Sequence, residues 1–73
     1  MAASAPMNNE VRERRETRDM SQADLAAAVG VTRQTINSIE RDRYDPSLAL
    51  AFELAEFFDC RIEELFRTER DEE

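Results

Sequence analysis

Apolar and polar residues recur with helical spacing in residues 21–40, and the pattern predicts two short helices joined by a tight turn. Ser21 and Asp24 have the spacing of a capping box, so the first helix should begin beside them. Three consecutive alanines at 26–28 keep the surface of this helix thin, which allows another helix to cross it closely. Gly30 then ends the helix, because glycine adopts left-handed backbone at little cost.

The second of these helices should begin after Thr32, whose hydroxyl can cap it. Ile36 and Ile39 fall on one side of it and are expected to be buried. Four polar residues then face outward: Arg33, Gln34, Asn37 and Ser38. Side chains of these types form hydrogen bonds with base edges in the major groove of DNA. The pattern therefore predicts sequence-specific DNA binding.

The rest of the chain predicts three more helices and no strand. The five expected helices run from Asn8 or Asn9 to about 18, then 22–29, 33–40, 48–58 with Ser47 as cap, and 62–66. The segment between the third and fourth helices, RDRYDP, is expected to be a loop, in which Tyr44 packs on the domain. The predicted organisation is a flexible arm over 1–7, an all-α domain over 8–66 and a charged tail over 67–73.

The fourth predicted helix has more apolar surface than one small core needs. Its main apolar face carries Leu48, Ala51, Phe52, Leu54, Ala55 and Phe58. Leu50 and Phe57 lie beyond that face, and surplus apolar surface on a small protein often marks a partner site. We therefore predict a homodimer whose interface contains Leu50, Phe57, Ile62 and Phe66.

Composition limits the other possibilities. A chain of 73 residues makes one small domain. It has no histidine and one cysteine, Cys60, so we expect no zinc site, no disulfide within the chain and no cofactor. No nucleophile is paired with a base, and no glycine loop can hold a phosphate, so an enzyme is not expected. No segment resembles a secretory signal or a membrane span, which predicts a cytoplasmic protein. A domain this small has one compact core without a large cavity, so no small-molecule ligand is expected.

The net charge of −7 is unusual for a DNA-binding protein, but the charge is unevenly distributed. Up to Pro46 there are seven arginines and eight acidic residues, whereas three arginines face nine acidic residues from Ser47 onward. The half up to Pro46, which contains the two helices predicted in residues 21–40, is thus nearly neutral and can present arginine to phosphates. An acidic chain without lysine also favours a halophilic archaeon as its source; a GC-rich genome is the alternative explanation.

The segment from Val11 to Phe66 resembles the Cro and phage-repressor, or Xre-type, helix-turn-helix family. The matching residues are Arg15, MSQ at 20–22, DLA at 24–26, VGVTRQTINSIE at 29–40, Tyr44, PS at 46–47, LA at 54–55 and IEELF at 62–66. The resemblance implies a five-helix, lambda-repressor-like DNA-binding domain. It is closest to the small stand-alone regulators of bacteria and archaea.

The resemblance also implies roles for individual residues. Base contacts fall to Arg33, Gln34, Asn37 and Ser38, and phosphate contacts to Gln22, Thr32, Arg41 and Arg43. Arg15 and Glu40 are expected to form a structural ion pair. Asp19 and Asp42 stand where the family commonly has glycine, and aspartate tolerates left-handed backbone better than most residues.

Two functions are consistent with these features. The first is a dimeric repressor that binds a palindromic operator in double-stranded DNA. The second is a protein-interaction module with the same fold, such as an antitoxin or an adaptor. The exposed polar residues of the third helix favour the first, and the acidic C-terminal half slightly favours the second.

Overall fold

Five helices form the domain in the computed structural model, which describes residues 7–43 and 45–68. They are α1 (Val11–Thr17), α2 (Gln22–Val29), α3 (Arg33–Glu40), α4 (Leu48–Phe57) and α5 (Ile62–Leu65). The predicted helical fold is confirmed, and α2 and α3 have the predicted bounds. In the described residues no helix is long and apolar enough to cross a membrane.

Side-chain caps fix the start of the three central helices. Ser21 accepts from the N–H of Asp24, whose carboxylate in turn accepts from the N–H of Ser21. Hydrogen bonds from the backbone and the side chain of Ser21 lower the pKa of the Asp24 carboxyl. Thr32 and Ser47 accept from the backbone three residues later, at α3 and α4. Helix α1 begins later than predicted, since Glu10 is its N-cap residue and Asn9 accepts only from the N–H of Val11.

The turns use the residues that tolerate left-handed backbone. Gly30 ends α2 with φ of 77°. Asp19 and Asp42, at the family's common glycine positions, have φ of 56° and 59°. The turns are therefore kept without glycine, as expected from the short polar side chain of aspartate.

Two short strands correct the expectation that the chain has none. Strands β1 (Met7–Asn9) and β2 (Phe66–Thr68) pair antiparallel, with Met7 opposite Thr68. Three residues are too few to show an alternating pattern. The two segments are held together where they join the helices, because the N–H of Glu10 donates to the carbonyl of Leu65 at 2.9 Å. Met7 therefore lies in the sheet rather than in the predicted arm, and 67–68 lie there rather than in the tail. The rest of the arm and tail, and Tyr44, are outside the described residues.

The core is formed by one side of every helix. Its fully buried members are Val11, Leu25, Ile36, Ile39, Leu54 and Leu65. Helix α4 is rotated relative to the prediction, because Leu50 is only 9% exposed whereas Leu48 and Phe52 are 69% and 58% exposed. Phe57 packs against the core as well. Leu50 is therefore a core residue and Phe57 is partly buried against the core, and the dimer interface predicted to contain them stays a prediction.

Candidate DNA-binding surface

The outward side of α3 carries the four residues that the sequence singled out. Ile36 and Ile39 are buried on the opposite side and fix the rotation of the helix. Arg33 and Gln34 are exposed at its first turn, and Asn37 and Ser38 are half-buried one turn later. Thr32 holds the first turn in place, accepting from the N–H of Thr35 at 3.1 Å. The structure thus gathers polar hydrogen-bonding groups on one exposed helix face, as base recognition requires.

Two shallow recesses lie on either side of this face. One is lined by Thr32, Gln34, Thr35, Ser38 and Arg43. The other is lined by Arg12, Arg15, Gln22, Asn37, Glu40 and Arg41. Each recess has an exposed arginine at its edge, so groups that suit base edges and groups that suit phosphates are adjacent.

Three arginines beside α3 are available for an anionic partner. Arg33, Arg41 and Arg43 are exposed, and none forms an ion pair with another residue of the described segments. Sequence interpretation missed a fourth cation, Arg12, whose contact with Glu16 is long at 3.4 Å and exposed on both sides. The sequence could have indicated Arg12, because it lies three residues before Arg15 and residues three apart share a helix face.

Arg15 and Glu40 form the expected ion pair beneath this surface. The Nε and Nη2 groups of Arg15 donate to the two carboxylate oxygens of Glu40 at 2.8 and 3.1 Å. Both side chains are largely buried, with 10% and 4% exposed. Arg15 Nη1 also donates to the carbonyl of Met20 at 2.8 Å, so the pair joins α1, α3 and the start of α2. The hydrogen bond with Glu40 raises the pKa of Arg15 although burial opposes it.

Gln22, the residue expected to contact a phosphate, is bound within the protein. Its Nε2 donates to Glu40 Oε1 at 3.0 Å and to Asn37 Oδ1 at 3.3 Å. Both protons of this amide are therefore in use. A phosphate contact at this position would use the backbone N–H at the first residue of α2, or would require the side chain to turn away from α3.

Asn9 connects the small sheet to the end of α3, a contact that sequence interpretation also missed. Its Nδ2 donates to the carbonyl of Ile39 at 2.9 Å and to Asp42 Oδ1 at 3.1 Å. The side chain of Asp42 is thus held by the sheet on the side of the domain that carries Arg41 and Arg43. No short-range sequence signal links Asn9 to residues this far along the chain.

The described residues offer little other chemistry. Among them no group of three or more histidine, cysteine or acidic side chains could hold a metal ion. Cys60 packs against the core, and burial raises the pKa of its thiol. A raised pKa leaves less of the reactive thiolate at neutral pH.

Comparison with known proteins agrees with this fold. The family model described as helix-turn-helix matches residues 11–65, and the chain belongs to that family. A relative from Methanocaldococcus jannaschii, described as an uncharacterized HTH-type transcriptional regulator, is 48% identical over 90% of this chain and 100% of its own. A regulator of the same description from Bacillus subtilis, YgzD, is 42% identical over 89% of this chain and 98% of its own.

A solved structure has the same architecture. The restriction-modification controller protein C.AhdI from Aeromonas hydrophila superposes with a TM-score of 0.68 and 31% sequence identity. The match covers 75% of this chain and 80% of that protein.

Proposed function

We propose that this DNA-binding transcriptional regulator acts in the cytoplasm as a homodimeric repressor on a palindromic operator. The observation that carries the proposal is the exposed first turn of α3, where Arg33 and Gln34 stand free of the core between two recesses edged by arginine. An α-helix with a polar face fits the major groove, and the arginines beside it can contact the flanking phosphates.

Each residue has a defined part in this proposal. Arg33 pairs with guanine and Gln34 with adenine, with Asn37 and Ser38 reading the next base pair. Arg12 and Arg41 line one recess and hold the phosphates on that side of α3, together with the start of α2 at Gln22. Arg43 and Thr32 line the other recess and hold the phosphates on the opposite side.

The second copy of the chain binds the α4–α5 patch, which we define as Leu48, Phe52, Ile62 and Phe66. Leu48 and Phe52 protrude from α4, and beside them a recess is lined by apolar side chains, Ala51, Ile62 and Phe66 among them. A protruding apolar side chain next to an apolar recess is self-complementary under two-fold symmetry, so the projection of each copy fills the recess of the other. Such a dimer can place two copies of α3 about 34 Å apart, one turn of DNA.

High salt is the proposed working condition of this regulator. Three acidic residues, Glu56, Asp59 and Glu63, line a recess beside Phe52 and Ile62, and salt screens the repulsion between two such surfaces. Salt also weakens phosphate contacts, so the base contacts of α3 must carry more of the affinity.

Selection from a randomised DNA pool, at low and at multimolar potassium chloride, tests the proposed function. We expect an enriched palindrome whose half-sites lie one helical turn apart, and its enrichment should survive multimolar salt. Enrichment of a single half-site would contradict the dimer. No enrichment at either salt, from protein with a helical circular dichroism spectrum, would favour the interaction module instead.

Replacing Phe52 with serine is expected to weaken dimerisation about 100-fold or more. In the proposed dimer the change removes from each copy an aromatic side chain that the interface would bury, and burial of each is worth about 1.5–3 kcal/mol. Sedimentation equilibrium measures the association constant, with Glu53→Gln as the control because Glu53 is exposed at the adjacent position of α4. Unchanged association of Phe52→Ser would show that the dimer uses another surface.

A further inference from the structure

We propose that Gln22 and Glu40 fix the orientation of the Asn37 amide so that Asn37 offers DNA only hydrogen-bond donors. Asn37 then favours major-groove base edges that present acceptors and no amino group, which are those of guanine and thymine, whereas adenine places an amino donor beside its single acceptor, N7. The inference rests on the proposed function, because it assigns a base preference to one residue of the DNA-binding surface. It also makes Gln22 a positioning residue for base recognition.

The orientation follows from the chemistry of the buried ion pair. Arginine has only donors and a carboxylate has only acceptors. Glu40 Oε1 lies 3.1 Å from Arg15 Nη2 and 3.0 Å from the side-chain amide of Gln22. The atom of Gln22 that faces Glu40 must therefore be the donor Nε2, because its carbonyl oxygen would meet the carboxylate with like charge.

The same argument extends one residue further. Nε2 has two protons, and the second is directed at the side chain of Asn37 at 3.3 Å. The atom of Asn37 that receives it must be Oδ1. Since the amide is planar, Nδ2 and its two protons are turned away from Gln22. The charge of Arg15 thus sets the orientation of the Asn37 amide, three hydrogen bonds away.

The position of Asn37 directs these protons toward DNA. Asn37 lies four residues after Arg33 on the same stripe of α3, and four-residue spacing keeps side chains on one helix face. It lines the recess that Arg12 and Arg41 border. The side chain is half-buried on α3, so its exposed part faces the same partner as Arg33.

A fixed amide changes which base is preferred. A free asparagine binds adenine with both groups, accepting from N6 and donating to N7. Asn37 cannot accept from adenine N6 while Oδ1 is held against Gln22. Its donors instead match O6 and N7 of guanine or O4 of thymine, and they oppose the amino groups of adenine and cytosine.

Selection profiles of three variants test the inference. The position read by Asn37 is identified as the one whose preference Asn37→Ala removes. There, the wild type should favour guanine or thymine over adenine by about 5-fold or more, the lower limit for one good contact. Gln22→Leu frees the amide, so adenine should become accepted to within about 2-fold of the preferred base. Asn37→Asp should reverse the preference toward adenine and cytosine, because an acceptor now faces the DNA.

The control is Ala23→Leu, which places the same side chain at the next, exposed position of α2 and should leave the profile unchanged. If Gln22→Leu lowered affinity for all sequences equally and kept the preference, Gln22 would have a purely structural role and the inference would be wrong. An enriched operator with this result would overturn the inference while leaving the proposed function standing.

A measurement without DNA covers the case in which no operator is enriched. Hydrogen exchange of the side-chain amides, followed by NMR, should show slow exchange for Gln22 Nε2 and fast exchange for Asn37 Nδ2. Gln22→Leu should leave the Asn37 rate fast. Slow exchange at Asn37 and fast exchange at Gln22 would overturn the inference, whatever the outcome of the selection.

Discussion

Replacing Arg33 and Gln34 together with alanine will remove sequence-specific DNA binding and leave the domain folded. Each residue is expected to make a paired contact with one base, worth about 1–3 kcal/mol. Loss of both contacts lowers the affinity for each half-site by roughly 30-fold to 20,000-fold, since each 1.4 kcal/mol is about tenfold, and a dimer loses them at both half-sites. Both side chains are exposed, so the free energy of unfolding should change by about 0.5 kcal/mol or less.

Fluorescence anisotropy with the selected operator measures this loss, and urea denaturation checks the fold. Arg61→Ala is the matched control, because it removes an exposed arginine from the acidic half of the chain, where the ion pair with Glu63 is long at 3.9 Å. The control should bind the operator about as well as the wild type. If regulation in cells survived the double change, α3 would not be the element that recognises DNA.

Replacing Arg15 with alanine should lower the free energy of unfolding by about 3–5 kcal/mol. The change leaves the carboxylate of Glu40, only 4% exposed, without its cation. It also removes the hydrogen bond to the carbonyl of Met20. Since small domains have about 5–15 kcal/mol of stability in total, we expect much of the population to unfold on mild warming.

Urea denaturation at equilibrium measures the effect, with Arg12→Ala as the control. Arg12 lies one turn earlier on α1, but its ion pair is exposed and should contribute about 1 kcal/mol or less. The double change Arg15→Met, Glu40→Leu should recover part of the loss, because it leaves no buried charge. An Arg15→Ala protein as stable as Arg12→Ala would show that the pair does not hold α1 to α3.

The central part of the fold could be predicted because its signals are local. Ser21 and Asp24, Gly30 and Thr32 act on backbone groups within a few residues, and they set the bounds of α2 and α3 without help from the rest of the chain. The buried side of α3 could also be predicted, because its two isoleucines lie on one side of the helix and both are buried. The outward position of Arg33 and Gln34 followed directly.

The rotation of α4 could not be predicted, because apolar residues cover most of its circumference. At about 100° per residue, the buried set that runs from Leu50 to Phe58 spans one broad arc, and Leu48 and Phe52 fall just outside it. Which arc is buried depends on where α2 and α5 pack. The links from Gln22 to Asn37 and from Asn9 to Ile39 likewise join residues far apart in the chain.

The antiparallel pairing of β1 with β2 has a mechanical consequence. Met7 and Thr68 lie opposite each other, so tension applied to the two ends of the domain opens the ladder one hydrogen bond at a time, as a zipper opens. The force acts on Asn9 before it acts on any helix, and Asn9 donates a hydrogen bond to the carbonyl of Ile39. Load on the two ends of the domain therefore acts first on the last turn of α3, the helix that we propose faces DNA.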